Sequence, residues 1–113
     1  MTIPLQVSFQ ELPSSAAVKT RIEERVEKLE RFHDRITGCR VVISTPHRHQ
    51  RKGNHFDVRV DLSLPGRELV VHRDTAGAQD HDDIYIAVRD AFDAMQRQLL
   101  DHVEKTRDPR QNT

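Results

Sequence analysis

The chain of 113 residues is predicted to be an α+β domain of order β-α-β-β-β-α, a four-stranded mixed sheet with two helices packed on one face. Three observations lead there. Apolar residues alternate at period two in several short runs, and recur at helical spacing in two longer segments. Each helical segment has a single apolar stripe, and the strands together offer one apolar face that the two stripes can cover. The length suits one domain and leaves no room for a second core. Residues 1–106 are read as that domain and 107–113 as a flexible tail.

Ile3, Leu5, Val7 and Phe9 alternate with Pro4, Gln6 and Ser8, the pattern of a strand with one buried face. Pro4 has no N–H for a ladder bond and belongs near the strand's start or on an edge. Pro13, Ser14 and Ser15 supply a turn and a candidate N-cap. From about Ser15 to Phe32, Val18, Ile22, Val26 and Leu29 fall on one helical face, with Phe32 at its margin. Gly38 ends the connection, and Val41, Val42 and Ile43 form a short strand closed by Thr45-Pro46. Residues 47–53, polar and basic, read as a loop. Phe56, Val58, Val60, Leu62 and Leu64 make the clearest alternation in the chain, and Pro65-Gly66 turns it into a partner strand over 68–72. A polar stretch, 74–83, leads to a second helix striped by Ile84, Val88, Ala91, Phe92, Met95, Leu99 and Val103. Asp82 and Asp83 stand where they cap its N-terminus. The first β-α-β step is expected to be a parallel pair, and the last three strands an antiparallel meander.

Composition narrows the function classes. Basic and acidic side chains balance at 18 each, which argues against gripping a polyanion through bulk charge. One cysteine, Cys39, rules out an intrachain disulfide and suits a reducing compartment. No secretory signal and no run of roughly 20 apolar residues is visible, so a soluble, cytoplasmic protein with no membrane partner is expected.

The charges are nevertheless sorted. With Val18, Ile22, Val26 and Leu29 facing the sheet, Arg21, Arg25 and Lys28 line one flank of the first helix, and Glu23, Glu27 and Glu30 the other. The plain interpretation is a solvated helix with pairs such as Glu24 and Lys28, worth a few tenths of a kcal/mol each. The functional one is a ridge of cations that tracks phosphates. Between Arg40 and Arg73, seven basic residues (Arg40, Arg48, Arg51, Lys52, Arg59, Arg67, Arg73) face three acidic ones (Asp57, Asp61, Glu68), whereas acids outnumber bases from Asp74 onward. This asymmetry suits docking in one orientation.

Catalytic constellations are missing. No Gly-rich phosphate loop occurs, and no Ser or Cys has a local activating base. Arg40 beside Cys39 is expected to favour the thiolate, yet a half-buried core thiol is the better interpretation of that cysteine. His47, His49 and His55 are the best metal candidates, but no further ligand stands at zinc-site spacing, so a phosphate- or solvent-bonded loop is preferred and no metal is assigned. The paired Asp82 and Asp83 read as helix-start residues. The chain is not expected to be an enzyme or to take a small-molecule substrate.

Several segments resemble the ribosome hibernation-promoting factor and ribosome-associated translation inhibitor family, in its short form. They are residues 25–32 (RVEKLERF), 64–70 (LPGRELV), 83–85 (DIY) and 96–99 (QRQL), which in this order span the domain from about Ile3 to Lys105. The resemblance implies a domain that binds the small ribosomal subunit between head and body, in the path of messenger and transfer RNA. There it silences translation and promotes hibernation under stress, with no cofactor, as a monomer off the ribosome. It further implies rRNA contacts at Lys19, Arg25, Lys28, Arg31, Arg97 and Lys105, to which the helical flank adds Arg21. Ala94, Leu100 and Asp101 depart from the family's basic or polar pattern. The loop residues Arg48, Arg51 and Lys52 are expected to compensate. The acidic second helix favours an alternative, a protein-interaction or regulatory module that kept the fold and lost strong RNA binding.

Overall fold

In the computed structural model, residues 3–33, 35–45, 56–74 and 84–106 are described. Their elements are β1 (Leu5–Gln10), α1 (Ala16–Glu30), β2 (Gly38–Ser44), β3 (Asp57–Leu64), β4 (Arg67–Asp74) and α2 (Ile84–Thr106), in the expected order. Boundaries differ at the ends. β1 opens two residues after Ile3, and α1 closes at Glu30 rather than Phe32. Gly38 opens β2 instead of ending the loop before it, and the strand has seven residues rather than the apolar Val41–Ile43 alone. Its polar ends carry no hydrophobic signal, but ladders on both sides hold them extended: Gln10 and Asp57 flank Ser44, and Ser63 pairs with Gly38.

The sheet order is β1-β2-β3-β4, with β1 and β2 parallel and the other two pairs antiparallel. Register sorts side chains into rows because successive residues point to opposite faces. Leu5, Cys39, Leu62 and Leu69 form one row toward the helices, and Val7, Val41, Val60 and Val71 the next. The intervening rows, Gln6-Arg40-Asp61-Val70 and Ser8-Val42-Arg59-His72, cover the open face. α2 lies over β3 and β4 and packs beside α1, which leaves α1 the β1–β2 half of the sheet. Ile22, Val26, Ile43, Val60, Met95 and Leu99 are fully buried between the layers.

Local chemistry fixes the element ends. Ser15 is extended, and its hydroxyl accepts from the Val18 N–H at 3.2 Å, the N-cap bond that a free helix start lacks. The last turn of α1 tightens, with the N–H of Arg31 donating to the Lys28 carbonyl at 3.1 Å and that of Phe32 to the Leu29 carbonyl at 3.0 Å. Pro65 and Gly66 link β3 to β4, and Gly66 takes φ +72°, which a side chain would oppose. The candidate caps Asp82 and Asp83 and the tail 107–113 lie outside the described residues.

Cys39 is the core thiol expected, and is more than half buried. Burial first, then the Asp61 carboxylate, push its pKa up to about 12. Arg40 does not lower it, because neighbours in a strand face opposite sides: Cys39 points to the helices and Arg40 to the open face.

Candidate nucleic-acid interface

The basic flank of α1 faces α2. Arg25 Nη1 lies 3.4 Å from Asp93 Oδ1, and the Arg21 guanidinium sits over the Tyr85 ring, 5.2 Å from its centroid. Past the C-cap of α1, His33 meets His102 edge-on at 6.2 Å between centroids. These contacts advance in the same sense along both helices, so the helices run parallel and a groove lies between them. Lys28 continues the α1 wall one turn beyond Arg25. Glu24 pairs with Arg21 at 3.5 Å instead of the expected Lys28.

On α2, the helical period places Tyr85, Arg89, Asp93, Gln96 and Leu100 along the flank that faces α1. Arg89 is a cation on this flank that the sequence reading missed, and its guanidinium lies 3.2 Å from the adjacent Asp90. Its spacing from Tyr85 and Asp93 was visible in the chain. Which flank of α2 turns toward α1 was not, because only tertiary packing decides that.

The predicted site residues therefore separate. Arg21, Arg25 and Lys28 come together. Arg31 and Arg97 fall on the outer surfaces of the helix layer, exposed to solvent. Lys19 lies on the far flank of α1 with Glu23 and Glu30, across the apolar stripe from the basic ridge. Lys105 lies on the α2 flank away from α1 and pairs with Asp101 at 3.2 Å. That flank is fixed by Gln98, whose Nε2 donates to the Val70 carbonyl on the outer edge of β4 at 3.1 Å. Arg48, Arg51 and Lys52, with His47, His49 and His55, lie outside the described residues.

Among the described residues, part of the charge asymmetry read along the chain is neutralised in space. On α2, Asp90, Asp93 and Asp101 each face a cation: Arg89, Arg25 and Lys105. On the open face, Asp61 is held at 2.9 Å by Arg59, whose protonated form the Asp61 hydrogen bond and charge favour. That face carries no Phe or Tyr among the described residues, and its aromatic ring there, His72, lies 3.4 Å from the Asp57 carboxylate. A shallow depression of about 200 Å³ lies there among Gln6, Arg40, Asp61 and Ser63, smaller than an ordinary small-molecule pocket. Among the described residues no cluster could hold a metal ion, and no helix is long and apolar enough to cross a membrane.

A ribosome hibernation promoting factor of Azotobacter vinelandii is 29% identical over 101 residues, covering 89% of this chain and 83% of that protein. A ribosome hibernation promoting factor of Pseudomonas putida is 26% identical over 101 residues, covering 89% of this chain and 87% of that protein. A ribosome hibernation promotion factor of Deinococcus radiodurans matches at 28% over 95 residues, 83% of this chain but 46% of that longer protein. Among solved structures, a ribosomal subunit interface protein from Coxiella burnetii superposes with a TM-score of 0.73 at 17% identity, covering 90% of this chain and 99% of that one. The N-terminal domain of Thermus thermophilus Protein Y gives 0.68 at 21% identity, with the same coverage, and both establish the shared fold. The family model described as Sigma 54 modulation protein / S30EA ribosomal protein matches residues 5–107. With nearly the whole sheet-and-helix domain inside that match, the chain belongs to the Sigma 54 modulation protein / S30EA ribosomal protein family.

Proposed function

We propose that this protein binds the small ribosomal subunit through its rRNA, in the messenger and transfer RNA path, and silences translation there. It thereby promotes ribosome hibernation under stress. The observation that carries this reading is the Arg21-Arg25-Lys28 ridge, three cations on one wall of a groove between two parallel, packed helices. Its relatives are named as hibernation factors, which are binding proteins, and the chain is not an enzyme. Ridge cations spaced by one helical turn can follow successive phosphates, and each contact releases counterions.

The groove residues lead the assignment, with Arg89 added to them. Arg31 and Arg97 serve from the outer rim, and the loop cations Arg48, Arg51 and Lys52 extend the surface. Lys19 and Lys105 are its most peripheral members. The protein acts in the cytoplasm as a monomer off the ribosome, as the single domain 1–106. Sucrose-gradient sedimentation of extracts from starved cells tests the reading. At low salt the protein should travel with small subunits or whole ribosomes; retention at the top of the gradient would overturn it.

A second reading, an interaction module without strong RNA affinity, draws on the paired acids of α2. It predicts that a pull-down recovers one soluble protein partner and no ribosomal RNA.

A further inference from the structure

Large apolar side chains exposed among the described residues are Phe32, Val70, Tyr85 and Leu100. Val70 lies on the open sheet face, but the other three continue the facing flanks of the two helices. Phe32 follows Lys28 by one turn, and Tyr85 precedes Arg89 by one turn. The core closes beneath them through fully buried Ile22, Val88 and Ala91, and each of the three keeps more than a third of its surface in solvent.

The nature of the RNA follows from that mixture. Paired RNA offers phosphates, 2′-hydroxyls and base edges, but its base faces are stacked and unavailable. A protein that grips only a duplex has no use for exposed rings. Proteins that hold single strands combine a basic track with aromatic platforms for the base faces. Tyr85 stands in such a place: 36% exposed, beside the Arg21 guanidinium at 5.2 Å, with Arg89 on the next turn.

We propose that the groove between the helices takes an unpaired stretch of RNA, with one base stacked on Tyr85 and adjoining phosphates on Arg21, Arg25 and Lys28. Phe32 offers a second platform at the other end of the groove, roughly 16 Å from Arg21 along α1. The proposal rests on the rRNA-binding reading of the groove and narrows it from RNA in general to single-stranded RNA.

The probe is a fluorescent oligouridylate of about 12 nucleotides, compared with an RNA duplex of equal length by anisotropy across a salt series. The single strand should bind more tightly than the duplex. Tyr85→Ala should weaken it roughly 5- to 100-fold while leaving the salt slope unchanged, since stacking displaces no counterions. Tyr85→Phe, which keeps the ring, should bind like the parent. The chain has one Tyr and no Trp, so its tyrosine emission reports on Tyr85 alone, and the unlabelled single strand should quench it where the duplex does not. That emission decides the matter should Tyr85→Ala fail to fold. Undetectable single-strand binding, preference for the duplex, normal binding by Tyr85→Ala or unquenched emission would each overturn stacking. The double variant Arg25→Glu/Lys28→Glu separates the two levels. If it leaves single-strand binding intact, the groove is not the RNA site. If it flattens the salt slope while Tyr85→Ala does nothing, only the stacking proposal fails.

Discussion

Single residues divide here into those whose environment the strand period dictates and those that neighbours in space redefine. Cys39 is of the first kind. Its row faces the helices, so the thiol is buried and its pKa stands near 12. At about pH 8 only about one molecule in ten thousand then carries the reactive thiolate. Native protein should resist iodoacetamide for hours while denatured protein labels at once; equal rates would show an open thiol. His102 is of the second kind. Burial first, then the positive charge of Arg67, the His33 ring and Lys105, lower its pKa from the usual 6.5. A depressed histidine pKa means that the folded state binds fewer protons than the unfolded state. The associated stability is whole above the ordinary histidine pKa and declines as pH falls through the folded value. His102→Gln should therefore show a smaller loss of melting temperature than the parent between about pH 7.5 and 5.5. An identical loss would mean that other groups account for the whole acid effect.

At the scale of elements, the two helices owe their positions to their stripes and their chemistry to their flanks. The apolar stripes of α1 and α2 were legible, since Val18, Ile22, Val26 and Leu29, and likewise Val88, Phe92, Met95 and Leu99, all lie buried. The Arg25–Asp93 bridge was not, because those residues are 68 positions apart and no local period links them. The pair is partly exposed, with Arg25 at 21% and Asp93 at 46%, so its contribution to stability is below about 1 kcal/mol. Its larger effect is on binding: Asp93 places a carboxylate in the wall where a phosphate would seat and occupies the central arginine. Asp93→Asn should leave the melting temperature within a few degrees of the parent and tighten ribosome binding several-fold at low salt. It should also steepen the salt dependence, as the freed guanidinium gains a phosphate. Weaker binding would instead make Asp93 the residue that holds Arg25 in its binding position.

For the whole molecule, a net charge of zero makes location decisive. Screening confines each exposed cation's influence to about 8–10 Å at physiological salt, so cations on opposite flanks of the helix layer do not act together. Reversing Arg25 and Lys28 should therefore cost far more affinity for small subunits than reversing Lys19 and Lys105, though the change in net charge is identical. Equal losses in a co-sedimentation titration would point to bulk attraction in place of a groove. The sheet's open face supplies the contrast, since its charges are interleaved and Asp61 already holds Arg59.

The sequence by itself determined the element order, the buried faces and the grouping of Arg21, Arg25 and Lys28, because strand and helix periods are local properties that a few adjacent residues reveal. It also carried the signatures by which the family is recognised. Tertiary structure alone decided what that ridge looks at. The orientation of α2 about its own axis brought Tyr85, Arg89 and Asp93 to the groove and turned Lys105 away from it. It did so through packing between residues far apart in the chain. The same long-range pairing lengthened β2 beyond its apolar centre, where ladder hydrogen bonds acted on residues with no hydrophobic signal of their own.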